Sequence, residues 1–333
     1  MRVAAAPWWG EIPPASGSIV MATGIVSVGL HLTGHETFSR VLLGLAGAVW
    51  VVLAVQFVEL LLHDRAGWST RADSPPALTG VAGTAVLGTR LAVLGWTGVA
   101  AALLVVAAAV WPVLLVGVLR HWSRPMPGAA FLVCVATQGL AVLGATLAGL
   151  EDATWLMWTA LVLFLLGLVL YVEALVRFDF RQVLTGAGDH WIAAGALSIS
   201  TLAGSKLTAS TEWTGTAHQA LRTTTLVLLG LALAWYAVLA VCELLRPRLR
   251  YDIRRWATVF PLGMTAAASL STSTAAGVAW LDDLGRALLW VAVIVWALVA
   301  YGLAARLLRA GSSTRGPERR TPEPSRSGPR CGP

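Results

Sequence analysis

The chain has 333 residues, 57% of them hydrophobic and 12% charged, with a net charge of +7. A soluble domain carries about a quarter charged residues, so this composition excludes an ordinary water-soluble fold and requires long apolar runs to face lipid. The basic charge sits in short loops between those runs and in the C-terminal tail, which excludes nucleic acid as a partner and points to membrane topology.

A short segment, residues 1–16, precedes the first apolar run. A membrane span needs about 20 mostly apolar residues. Ten such spans follow: 17–33, 40–62, 77–94, 98–119, 128–149, 154–176, 190–209, 219–245, 256–277 and 284–309. The expected fold is an all-α polytopic membrane domain over 17–309, with its ten helices paired as five hairpins. The tail, residues 310–333, is rich in Pro, Ser, Gly and Arg and is expected to be disordered and basic.

Charge orients these spans. The loops after spans two, four, six and eight carry Arg65, Arg71, Arg120, Arg124, Arg177, Arg181 and the Arg246–Arg255 cluster. The opposite side has only Arg40, Arg90, Lys206, Arg222 and Arg286. The positive-inside rule then places both termini in the cytoplasm of a cell with a plasma membrane.

The odd spans are rich in Gly, Ser and Thr, and the even spans are bulky and aliphatic. Small residues let helices approach closely in lipid, and hydroxyls line a water-filled path without a buried charge. Five inner odd helices forming a pathway, supported by five outer even helices, is the expected arrangement. Candidate pore-lining residues are Ser18, Thr23 and Ser27 on span one and Thr84 on span three. Span five offers Thr137 and Gln138, span seven Ser198, Thr201 and Ser205, and span nine Thr265 and Ser269. Each of these side chains also has the option of bonding back to its own helix. Arg90 and Lys206, near the outer ends of two inner spans, are candidates for an electropositive mouth that attracts anions.

Glutamates close three even spans next to basic residues: Glu59 with Arg65, Glu173 with Arg177, and Glu243 with Arg246. Helix-end ion pairs are the plain expectation there. Asp189, just before span seven, reads as a helix N-cap. Pro261 in span nine removes a backbone hydrogen bond and should kink that helix.

Enzyme chemistry is missing from the sequence. There is no dinucleotide fingerprint, Walker loop, HExxH or paired CxxC. His31 and His35 have helical spacing but lack further ligands, and Cys134, Cys242 and Cys331 are scattered, so neither a metal site nor another cofactor is expected. No loop is long enough for a soluble signalling domain, which leaves a membrane enzyme or a sensor as remote alternatives.

Three segments carry a family resemblance: PPASGSIVMATGIVSVGLHL from Pro13, GDHWIAAGALSISTLAGSKL from Gly188, and RYDIRRWATVFPLGM from Arg250. Together with ten spans they resemble the tellurite-resistance/dicarboxylate transporter family, which includes slow-type anion channels and the malate and sulfite permeases. The resemblance implies a homotrimer whose subunits each hold a nearly neutral pore for small anions, such as chloride or nitrate, or for dicarboxylates, sulfite or tellurite. It also implies a phenylalanine plug on the ninth helix, which matches Phe260, next to Pro261. A proton-coupled malate carrier is the alternative. A carrier of that kind needs a titratable group in the path, and the central parts of the odd spans offer none.

Overall fold

A computed structural model describes residues 13–186, 188–247 and 251–313. Its described part is helical throughout and contains no strand beyond one isolated bridge between Met126 and Phe178. Ten helices are long: α1 (Gly17–Leu32), α2 (Glu36–His63), α4 (Leu78–Val93), α5 (Thr97–Arg120), α6 (Leu132–Glu151), α7 (Thr154–Arg177), α9 (Ile192–Thr208), α10 (Gly215–Leu245), α11 (Trp256–Ala276) and α12 (Trp280–Ser313). Two short helices, α3 (Arg65–Ala72) and α8 (Gln182–Thr185), lie in the basic loops, which sequence reading left without structure.

The packing has a simple order. Each of α1, α4, α6 and α11 packs most closely along the long helix that follows it, while α9 packs along α10 and more closely still along α11. These five also pack side by side in the cycle α1, α4, α6, α9, α11 and back to α1. They form a closed inner ring, and α2, α5, α7, α10 and α12 stand outside it. Close approach within the ring follows from its small residues, because attraction between helices in lipid comes from packing rather than from expulsion of water. The outer helices instead expose valine and leucine, such as Val51, Val105, Val162 and Leu298, as a lipid-facing surface requires.

Among the described residues, eight helices are long and apolar enough to cross a membrane, which makes the chain a polytopic α-helical membrane protein. The two long helices outside that set are α9 and α11. Both are held inside the ring: every residue of α9 except Lys206 is buried. A helix shielded from lipid on all sides needs no apolar face, so it tolerates serine and threonine at the expense of hydropathy.

Each inner helix starts with a 3-10 turn: Pro14–Ser16, Pro75–Ala77, Gly128–Phe131, Asp189–Trp191 and Ile253–Arg255. The first four turns touch in sequence, and the last touches the first. All five inner helices therefore point their N-termini at one end, the end that bears the arginine loops.

Three sequence readings change here. Asp189 is not an N-cap with a side-chain bond: it opens its 3-10 turn behind Gly188, and no side chain caps that turn. Glu243 pairs with Arg255 at 2.7 Å rather than with Arg246, tying the end of α10 to the start of α11. Helix α12 runs to Ser313, past the expected span end at 309. The Glu173 and Arg177 pair forms as expected. Residues 1–12 and 314–333, and with them most of the expected tail, lie outside the described residues.

Candidate functional site: the axis of the inner ring

A small cavity marks the axis. It is lined by Ile25 and Val28 of α1, Val86 and Thr89 of α4, Gly139 and Val142 of α6, Ile199 and Leu202 of α9, and Met264 of α11. All five inner helices contribute, and each does so near its middle. Four of them supply a pair spaced i, i+3, which lies on one helix face. Its volume is about 10 Å³, at the lower limit for one water molecule. The lining is apolar except for Thr89, whose hydroxyl donates to Ala85 O of its own helix at 2.9 Å, so the axis is narrow and nearly apolar at this depth.

Phe260 lies one turn before Met264 and shares its face. Its side chain is 1% exposed. It packs against Gly195, which in turn lies one turn before Ile199 on the cavity-facing side of α9. A Cβ on Gly195 would sit 3.1 Å from Phe260 Cε1 and 2.9 Å from Pro261 Cγ, so only glycine leaves room for the ring as it stands. Helix α11 continues unbroken through Pro261, and the hydroxyl of Thr265 donates to the Pro261 carbonyl at 2.8 Å.

The candidate hydroxyls and the amide have other partners, and none of them borders this cavity. Ser18 donates to Ala15 O at 2.6 Å. Thr201 donates to Leu197 O and Ser269 to Thr265 O, both within their own helix. Ser198 and Thr265 share a 2.8 Å hydrogen bond that joins α9 to α11, and Ser205 shares one of the same length with Thr272. Gln138 donates to Phe164 O at 3.0 Å, wedged against Gly167, and its Oε1 is buried without a partner.

Thr23, Thr84 and Thr137 follow a pattern that sequence reading missed. Each accepts an indole N–H from an outer helix of a different hairpin: Trp296 of α12, Trp50 of α2 and Trp111 of α5, at 3.1, 2.8 and 3.0 Å. These bonds brace three of the five outer helices, α12, α2 and α5, each against the next inner helix around the ring.

The two candidate cations differ. Arg90 is 1% exposed and points away from the axis, donating to Glu36 at 2.8 Å and to Ser39 at 2.9 Å. Ser39 and Ser27 bond reciprocally at 2.7 Å, while His31 and Arg40 also hold Glu36. This cluster joins α1, α2 and α4, and its carboxylate offsets the Arg90 charge. Arg222 is likewise occupied, capping the C-terminal carbonyl of Ala276 on α11. Lys206 lies one turn outward from Leu202 on the cavity-facing side of α9, and among the described residues it has neither an ion-pair nor a hydrogen-bond partner.

The basic end carries its own electrostatics. Five helix N-termini converge there, each with a partial positive charge. Asp252, in the turn before α11, is held below its usual carboxylate range by its hydrogen bonds with Arg254. No group of three or more His, Cys, Asp or Glu side chains comes together as a metal site among the described residues. His31 is bonded to Glu36, and His35 to Thr33.

Residues 11–304 match the family described as voltage-dependent anion channel. Over 140 residues the chain is 29% identical to an uncharacterized membrane protein of Mycobacterium tuberculosis (strain CDC 1551 / Oshkosh), covering 38% of this chain and 69% of that protein. A counterpart from strain ATCC 25618 / H37Rv matches to the same extent.

Proposed function

The chain belongs to the voltage-dependent anion channel family, and from that premise we propose that small anions cross along the axis of the inner ring, through a gate formed by Phe260 and the aliphatic side chains at mid-ring. The observation that carries this reading is the axial cavity lined by all five inner helices. In this reading all ten long helices cross the membrane as five hairpins. Both termini lie in the cytoplasm and the membrane is the cell's plasma membrane.

The direction of selectivity follows from charge. Five helix N-termini face the inner mouth, and Lys206 stands on the axial face at the outer end. No carboxylate borders the axial cavity. An anion approaching from the inner end therefore meets favourable potential, whereas at the outer end the Lys206 charge stands against the partial negative charge of five helix C-termini; between the two ends lies the constriction. A constriction of this kind blocks ions by dewetting until its side chains move apart. The serine and threonine residues serve mainly to hold the ring together, and they become available to a permeating ion only when the helices shift. Three such subunits, packed through their apolar outer helices, would make the homotrimer that the family resemblance implies.

The carrier alternative is separated by its driving force. In proteoliposomes at a set membrane potential without a pH gradient, chloride or nitrate should move through a gate-widened variant. If only malate moves, and only once a proton gradient is applied, the channel reading is replaced by a coupled carrier.

A further inference from the structure

Charge at the outer end of the ring is unevenly committed. Five lysine and arginine side chains lie on the side away from the basic loops, and four of them are engaged. Arg40 and Arg90 both donate to Glu36, Arg222 donates to the Ala276 carbonyl, and Arg286 donates to Asp282 at 2.7 Å. Lys206 is the fifth, and among the described residues its ammonium has neither an ion-pair nor a hydrogen-bond partner. The hydroxyls beside it on α9 are used elsewhere: Ser205 shares a hydrogen bond with Thr272, and Thr208 donates to the Gly204 carbonyl.

Its place on α9 is axial. Ile199 and Leu202 line the axial cavity, and Lys206 follows them at a spacing that keeps all three on one helix face. The side chain is half-buried, so its charge is not shut away from the outer solution. All five inner helices end on this side, and each C-terminus carries about half a negative charge. Arg222 offsets that of α11. Lys206 sits in the last turn of α9 and favours its own helix end in the same way, which is the plain role of a lysine there. A cation tied to no partner also acts on ions in solution. The inner mouth attracts anions through five helix N-termini and depends on no single side chain, whereas the outer mouth depends on this one.

We propose that Lys206 is the residue that admits anions from the outer side, so that conduction without it becomes directional: anions still enter readily from the inner end and poorly from the outer. This inference rests on the axial pathway proposed above. Lysine is a compact point charge without the planar fork of arginine, so it draws small anions such as chloride or nitrate by charge rather than by shape.

The test uses the full chain with Phe260→Ala as the conducting parent, in patches excised from giant bacterial spheroplasts, where the cytoplasmic side is known. Potassium chloride is symmetric, at 10 mM or 500 mM. At voltages where entry limits the current, Lys206→Gln should cut chloride current entering from the outer side about two- to threefold at 10 mM, the effect of one charge acting across about 8 Å of water. Current entering from the inner side should stay at the parent's level. At 500 mM, where salt screens the charge, both directions should match the parent. Lys206→Arg keeps the charge and should keep both currents, and Lys206→Met stands in if Lys206→Gln fails to fold. In a parent without other cysteines, Lys206→Cys should behave as Lys206→Gln until a cationic methanethiosulfonate is added from outside, which should restore outer entry. A lysine that only stabilises α9 gives no such restoration. Equal losses in both directions, a loss that persists at 500 mM, or a folded Lys206→Cys that the reagent leaves unchanged would overturn the proposal. A folded Phe260→Ala parent that carries no chloride in either direction would refute the axial pathway itself, and the proposal with it.

Discussion

Gly195→Ala probes the contact between the phenylalanine and the inner ring. The added methyl would sit 2.9 Å from Pro261 Cγ and 3.1 Å from Phe260 Cε1. Carbon atoms pack best at about 3.5–4.0 Å, so the shortfall is about half an ångström or more on two atoms. Pro261 is fixed in its helix, and Phe260 rotates about its side-chain bonds, so the ring should yield first. Overpacking of this kind costs about 1–3 kcal/mol. Replacing a mid-helix glycine by alanine returns about 1 kcal/mol. The net loss should be about 0–2 kcal/mol, small enough for the variant to fold. Thermal unfolding measures that loss, and chloride flux in proteoliposomes measures the gate. Flux should rise several-fold above wild type, and Phe260→Ala should relieve much of the stability loss in the double variant. A folded Gly195→Ala as silent as wild type, with no coupling to Phe260→Ala, would refute the packing argument.

Glu36→Gln should destabilise the protein, because it leaves the buried Arg90 guanidinium without its carboxylate; detergent unfolding curves check this. Lys206→Gln in a conducting background should reduce chloride flux more at 10 mM than at 500 mM salt, with Lys206→Arg close to wild type, since salt screens the pull of this cation on anions still in solution. Each of Trp50→Phe, Trp111→Phe and Trp296→Phe should lower stability by about 1 kcal/mol, the value of one neutral hydrogen bond. The triple variant should show a nearly additive loss in the same unfolding measurement, because the three braces lie on different helix pairs.

Much of the architecture was legible from composition alone. The alternation between small-residue and bulky spans located the inner and outer helices, because contact with lipid and contact with helices demand different side-chain sizes. The closing residues were harder to read. Serine and threonine look like pore lining in a sequence, yet Thr84 and Thr137 turn outward to tryptophans on neighbouring helices. Those partners are 34 and 26 residues away, and no local pattern announces them. The axial residues did leave a signal: Ile25 with Val28 and Ile199 with Leu202 are bulky i, i+3 pairs on helices otherwise rich in small residues. Helix phase, followed around all five inner helices, would have found them. Arg90 and Lys206 looked alike in sequence, and they diverge because Glu36 begins the helix that packs beside Arg90. The match of Phe260 to the family's plug rested on resemblance. The structure adds its shared face with Met264 and its seat on Gly195.

The most direct test of an axial gate compares Phe260→Ala with Phe131→Ala in planar bilayers or proteoliposomes under a set potential. Phe131 is also fully buried, but it packs against Tyr171 and Phe178 beside the ring, away from the axial cavity. A gate on the axis predicts a large rise in chloride and nitrate conductance for Phe260→Ala and none for a folded Phe131→Ala. Equal conductance in the two variants, or silence in a folded Phe260→Ala, would contradict it.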